Sequence, residues 1–423
     1  MNLHPKRALA ASALAVAVAL PLAGQASAGP DDIPGTAGAQ TLTNTPEAAR
    51  PAFYEPPATI PSTPGTIIRS QKAPFLLDPL DLSSKYVTAT RVMYSSTDSK
   101  GRPIAVTGTV FEPTAEYTRG GKRPLISYTA GTQGMADRCA PSRQMEDLVD
   151  YEGLGVNRAV GRGYAVAMTD YQGLGTPGTH TYMAREDQGR ASLDMARAAK
   201  NLDSTDLTDA NPIGLMGYSQ GGGAAAAAAE LAGSYAPELK IKGSAIGAPP
   251  ADLEKVGKNL DSGFYMAFAT FALLGVAQSE SIDPGPHLNE EGKALAAKVE
   301  GACVYDLLDY SFKDSSRYTA SGKKLSELLA EEPFASALEE QRIGRRTPNA
   351  PVQINHSYAD DVIPYSVGKT LASDWCDRGS RVNLNGGVTP THVGGMLPHI
   401  EKSMIFFDAR FSGRNLPSSC WRL

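Results

Sequence analysis

Apolar and polar positions along this chain follow two rhythms, and the switches between them outline a fold. Two runs rich in β-branched and aromatic residues, Tyr86–Tyr94 and Pro103–Phe111, flank the polar link Ser95–Gly101, a pattern that predicts an antiparallel hairpin. From Arg123 the pattern changes to short apolar runs separated by helical periodicity. Arg123–Thr129, Tyr164–Thr169, Ile213–Met216 and Ile241–Ile246 read as buried strands. Glu186–Leu202, with Ala191, Leu193, Met195, Ala196 and Ala199 apolar, reads as a helix between the second and third of them. Strand–helix alternation of this kind predicts a mostly parallel sheet covered on both faces, with an antiparallel start.

The alternation stops between Gly247 and Pro351. One crossover helix needs about 20 residues, so most of this stretch is surplus to the sheet. It carries the apolar run Phe264–Leu274, then Pro284 and Pro286, then helical patterns near Glu290–Ala302 and Leu325–Arg345. It reads as a helical cap inserted at about 250–348, over the strand ends where open parallel sheets present their sites. Its aromatic run suits either the lining of an acyl pocket, contact with a lipid surface, or ordinary core. Alternation resumes with a strand at Val352–Tyr358, a helix at Tyr365–Trp375, a strand at Arg381–Leu384 and a closing helix to about Phe411.

The N-terminal end has a different character. Lys6 and Arg7 precede the apolar stretch Ala8–Leu22, and Ala26-Ser27-Ala28 provides small residues for cleavage, so residues 1–28 read as an export signal. Pro21 interrupts a stretch already short of the ~20 residues that a membrane-spanning helix needs, and no later run is long enough to span. Residues 29–75 hold Pro46, Pro51, Pro56, Pro57, Pro61 and Pro64, which exclude a helix and suggest an extended leader draped over the core; the remaining domain is 76–423. Export bears on the four cysteines, Cys139, Cys303, Cys376 and Cys420. An oxidising compartment favours two disulfides, with three pairings open. None forms a C-x-x-C pair, so a metal or redox site is not expected. The formal net charge of -5 and the lack of basic clusters argue against a nucleic-acid partner.

The chemistry concentrates at Gly217-Tyr218-Ser219-Gln220-Gly221, a G-x-S-x-G sequence between the apolar run Ile213–Met216 and a helix-forming run that includes Ala224–Ala229. In the chain's 42 glycines such a match arises easily by chance, but a strand before and a small-residue helix after give it mechanical meaning. The sharp reversal lifts the serine hydroxyl to a helix N-terminus, where backbone N–H groups favour negative charge. A serine needs a base held in one tautomer, and on this sheet plan the order along the chain is Ser, acid, His. Of six histidines, His4 is in the export signal, His180 precedes Ser219, His287 falls in the cap and His356 lies within a strand. His392, in the glycine-flanked loop after the last strand, is the candidate base, while His399 in the closing helix reads as structural. The candidate acid is Asp360, four residues before Pro364; its neighbour Asp361 reads as a solvated turn residue. Backbone donors for an oxyanion are expected from Gln220 and from Thr132 or Gln133 in the Gly131–Gly134 loop.

Taken together, Phe53–Pro57, Pro64–Arg69, Gly131–Gly134 running into Asp137–Ser142, Asp170–Gly175, Gly217–Gly221, Asp360 and His392 resemble the secretory lipase family of α/β-hydrolases, of the lipase A type. The resemblance implies an α/β-hydrolase fold with the cap before the acid strand. It also implies the disulfides Cys139–Cys303 and Cys376–Cys420. Ala130 stands where many bacterial members carry histidine. The function expected is a secreted or envelope-associated serine ester hydrolase, lipase-like and cofactor-free, acting on lipid or small ester substrates with transient contact at a lipid–water interface. A carboxylesterase for short soluble esters, a serine amidase or peptidase, and a non-catalytic surface binding protein are the alternatives.

Overall fold

A computed structural model describes residues 50–74, 85–145, 150–306 and 311–423. The export signal and residues 29–49 of the leader lie outside the described residues. The chain divides into two units, Met1–Thr43 and Asn44–Leu423, and all described residues belong to the second.

Nine strands form one sheet in the order β1-β2-β3-β5-β4-β6-β7-β8-β9. The first three, β1 (Ile67–Lys72), β2 (Val87–Thr97) and β3 (Pro103–Pro113), are antiparallel, and β3 is also antiparallel to β5. From β4 (Leu125–Thr129) and β5 (Ala165–Thr169) through β6 (Ile213–Tyr218), β7 (Ile241–Gly247), β8 (Val352–Ala359) and β9 (Val382–Pro390), every pairing is parallel. The central strands β4, β5 and β6 are buried along their whole length, which explains why they read as continuous apolar runs and not as alternating ones.

The helices are α1 (Pro141–Gln144), α2 (Gly153–Val160), α3 (Arg185–Lys200), α4 (Gln220–Tyr235), then α5 (Leu253–Leu260), α6 (Met266–Glu280), α7 (Glu290–Glu300), α8 (Leu325–Leu328) and α9 (Phe334–Glu340) between β7 and β8, and finally α10 (Tyr365–Asp377) and α11 (Met396–Phe411). Helix α4 has the smallest side chains and sits deepest: Ala224–Ala229 are all buried, so the helix axis lies close to the sheet. At its C-terminal half Glu230 accepts hydrogen bonds from Gly344 N, Arg346 N and Trp375 Nε1, joining the sheet-covering layer to the end of the β7–β8 insertion and to α10.

Three sequence expectations are revised. The leader is not uniformly loose, because Ile67–Lys72 pairs with β2 as an edge strand. Upstream of it, buried Tyr54 shares a hydrogen bond with Ser142 and Arg50 pairs with Asp137 at 2.7 Å, so this segment is fastened beside the loop after β4. The helical pattern at Leu325–Arg345 resolves into the short α8 and α9, with Pro333 at the break, where proline cannot donate to a continuing helix. The last strand runs to Pro390, past the expected Leu384, carrying the chain directly to the His392 loop.

Two disulfides, Cys139–Cys303 and Cys376–Cys420, join the pairs that the family resemblance implies. The first anchors the loop after β4 to the β7–β8 insertion, where Gly134 and Cys303 also form a β-bridge.

Candidate active site

Ser219 stands between β6 and α4 with φ 59° and ψ -122°, a backbone state strained for any side chain but glycine. The turn closes only because its neighbours lack side chains. A Cβ on Gly217 would lie 2.1 Å from Thr129 Oγ1, and one on Gly221 would lie 2.0 Å from Thr129 O. The strain is held by the hydrogen bond from Ser219 N to Gly247 O on the adjacent strand.

Strand pairing then assembles residues distant in sequence. His392 Nε2 lies 2.8 Å from Ser219 Oγ, and His392 Nδ1 lies 2.8 Å from Asp360 Oδ2. A carboxylate can only accept, so Nδ1 carries the proton and Nε2 is free to take one from the serine. Asp360 Oδ1 accepts from Val362 N and Ile363 N. Burial pushes the Asp360 carboxyl up, but hydrogen bonds from His356 and His392, the charge of His392 and the Ile363 N–H outweigh it and hold the group well below the usual carboxylate range. Asp361 is exposed, yet not simply solvated as the sequence suggests: its Oδ1 accepts from His392 N at 2.7 Å.

Gln220 begins α4, with its backbone N–H at the helix N-terminus next to Ser219. Thr132 lines the cavity in front of Ser219, and its hydroxyl is 2.7 Å from Tyr182 Oη. Gln133 is buried, with its carbonyl engaged by Val304 N. Gly131 N donates to Glu152 Oε1, while Tyr128 donates to Glu152 Oε2. Burial drives the Glu152 carboxyl up to about 7, against the opposing hydrogen bonds from Tyr128, Gly131 and Tyr151.

The remaining histidines divide by burial. Burial lowers His180 to about 4; its Nδ1 bonds Gln172 O, and its Nε2 lies 3.1 Å from the Gln220 side-chain amide. His180 thus braces the residue that follows the serine. His399, lowered to about 3 by burial, contacts Asn355 and Ser403. His356 bonds Ile363 O beneath the Asp360 turn, and His287 packs on Phe334. Neither Glu152 nor His180 had a sequence signal, because a lone polar residue in a helix or loop does not reveal what will enclose it. Among the described residues no His, Cys, Asp and Glu group could hold a metal ion.

Two cavities meet at Ser219. The larger, about 310 Å³, is lined by Thr132, Tyr151, Phe264, Tyr305, His392 and Met396, among others. The second, about 30 Å³, is an apolar slot between α5, α6 and the Val362-Ile363 turn. Phe268 borders both. The apolar run therefore splits: Phe264, Phe268 and Leu273 face the cavities, while Phe271 and Leu274 are core.

This strand order, with a strained serine between a central strand and its helix, defines an α/β-hydrolase. A family model described as secretory lipase matches residues 141–418. A probable inactive lipase of Mycobacterium tuberculosis is 30% identical over 383 residues, covering 86% of this chain and 82% of the relative. A secreted triacylglycerol lipase of Malassezia furfur is 26% identical over 317 residues, covering 70% and 81%. The structure of Candida antarctica lipase A in its closed state superposes with a TM-score of 0.75 at 25% identity, covering 88% of this chain and 87% of that one. The chain belongs to the secretory lipase family. Membership in a secretory family agrees with its two disulfides and places it outside the reducing cytosol. Among the described residues no helix is long and apolar enough to cross a membrane.

Proposed function

We propose that this protein is a lipase-like carboxylic ester hydrolase in which Ser219 is the nucleophile, His392 the general base and acid, and Asp360 the group that orients His392. The observation that carries the reading is the unbroken hydrogen-bonded sequence Ser219 Oγ, His392 Nε2, His392 Nδ1, Asp360 Oδ2, with both contacts at 2.8 Å. As Ser219 attacks the ester carbonyl, its proton passes to Nε2, and the nearby Asp360 carboxylate stabilises the resulting imidazolium. The tetrahedral oxyanion is met by the backbone N–H groups of Gln220 and Thr132. Thr132 is preferred to Gln133 because it lines the cavity, and Gly131 is excluded because its N–H is already committed to Glu152. Collapse of the intermediate transfers the proton from His392 to the leaving alcohol. Water then cleaves the acyl-enzyme by the same route, with no cofactor in any step.

On this reading residues 250–348 are the cap that bounds the ester site and residues 1–28 are removed on export. Phe264, Tyr305 and Val393 are exposed apolar groups that line the cavity, and exposed Phe312 packs on Phe264, a set suited to transient contact with an aggregated lipid. The related triacylglycerol lipases support acylglycerols as the substrate class.

One observation favours a second reading, a non-catalytic binding protein on the same fold: the Mycobacterium relative is described as a probable inactive lipase. Hydrolysis of p-nitrophenyl esters from acetyl to palmitoyl, with emulsified triacylglycerol in parallel, separates the two. Turnover that extends to long chains and the emulsion, and that vanishes in Ser219→Ala, is expected. Turnover confined to short esters makes the protein a carboxylesterase. Equal rates in wild type and Ser219→Ala refute the assignment.

A further inference from the structure

His392 occupies a loop that cannot hold itself. Thr391 before it has φ 62°, a strained state for a β-branched residue, and Thr391, Val393 and Gly394 are all exposed, so little packing fixes the segment. Yet a general base works only when its ring nitrogen stays within hydrogen-bond reach of the nucleophile.

The main chain of His392 is gripped from two sides. Its N–H donates to Asp361 Oδ1 at 2.7 Å, and its carbonyl accepts from Tyr218 Oη at 2.6 Å. The Tyr218 ring packs against the imidazole, with centroids 5.0 Å apart, and also meets His399 at 5.5 Å. Two glycines clear the space for it: a Cβ on Gly247 would lie 2.3 Å from Tyr218 Cδ2, and one on Gly395 would lie 2.3 Å from Tyr218 Oη. Burial, followed by the charges of Asp360 and Asp361, raises the phenol far above its ordinary range, so it remains a donor at working pH.

We infer that Tyr218 and Asp361 are positioning residues for the hydrolysis, which fix the main chain of His392 so that its imidazole stays aligned between Ser219 and Asp360. Tyr218 immediately precedes the nucleophile, so it locks the base loop to the turn that presents Ser219. Asp360 and Asp361 divide one task, the first holding the ring and the second the main chain of the same histidine. The inference rests on the proposed roles of Ser219, His392 and Asp360.

The test compares purified wild type, Tyr218→Phe, Asp361→Ala, Asp361→Asn and Ser219→Ala on one soluble ester, with rates normalised to sites titrated by a phosphonate that labels active serines. Removing one fixing hydrogen bond is expected to lower kcat about tenfold in Tyr218→Phe and in Asp361→Ala, with KM within about twofold of wild type, because only alignment in the reacting state is lost. Asp361→Asn recovers most of that loss, since its amide oxygen can accept the same N–H. Wild-type kcat per titrated site in both Tyr218→Phe and Asp361→Ala overturns the inference, as does failure of Asn to rescue. If those two variants match wild type while Ser219→Ala is inactive, only the positioning role falls; if Ser219→Ala stays active, the site assignment falls and takes this inference with it.

Discussion

Replacing Glu152 with glutamine should flatten the pH dependence of stability between about pH 4.5 and 7. Glu152 is enclosed with Asp150 and the hydroxyls of Tyr128 and Tyr151 under the loop after β4, and burial raises its carboxyl from 4.5 to about 7. The sign follows from proton linkage. Between those values the folded protein holds the Glu152 proton and the unfolded chain has lost it, so stability falls as pH rises through the window and is level above it. At about 1.36 kcal/mol for each tenfold change in proton affinity, the loss attributable to Glu152 is about 3 kcal/mol. Glutamine keeps an oxygen to accept from Gly131 N and does not titrate. Asp150, raised by burial and then by the Glu152 charge, remains in both proteins, so the difference between them reports Glu152 together with the relief it gives Asp150. Urea unfolding followed by fluorescence across the window provides the two curves. Wild type should lose about 3 kcal/mol more than the variant between the two ends. Parallel curves would refute the argument and mean that Glu152 is ionised, or reached by solvent, well below pH 7.

Two further outcomes test the frame around the site. Glu230→Ala leaves three donors, on Gly344, Arg346 and Trp375, without their acceptor, and should destabilise the fold by about 3–5 kcal/mol in chemical denaturation, with Glu230→Gln much milder; equal stability of the Ala variant would discount this tie. Phe268→Ala joins the two cavities at Ser219, so the ratio of kcat/KM for decanoyl over acetyl esters should rise about tenfold, given about 0.8 kcal/mol for each newly buried methylene; an unchanged ratio would return Phe268 to a packing role.

Much of this molecule was legible from local pattern. The mostly apolar runs marked β4, β5 and β6 because strands buried on both faces carry few polar residues to misread. The proline four residues after Asp360, and the position of His392 after the last strand, singled out the residues that lie in a hydrogen-bonded line with Ser219. What escaped was decided by tertiary contact. Prolines before Ile67 masked β1, an edge strand whose exposed outer end carries Ser70, Gln71 and Lys72. Tyr218 was visible only as the variable position of a motif, and its partner, the carbonyl of His392, belongs to no side chain at all. Asp361 looked like a turn residue because its acceptor role is defined by a backbone N–H in a loop 31 residues away.

The connection from β7 to β8 has a consequence for how such a protein diversifies. These strands are neighbours, paired from Ser244 with Val352 to Gly247 with Asn355, so the sheet fixes where the intervening chain must leave and return whatever it does between. Lengthening such an excursion costs only logarithmically in chain entropy. The insertion is therefore an exchangeable cassette: its helices can be recut to admit new esters while the strands that present Ser219, Asp360 and His392 stay in register. Among its ties to the rest of the protein, a disulfide and a buried carboxylate limit the exchange. A replacement must still offer a sulfur to Cys139 and bring a turn back to Glu230, which makes those two points the sockets into which any future cassette has to plug.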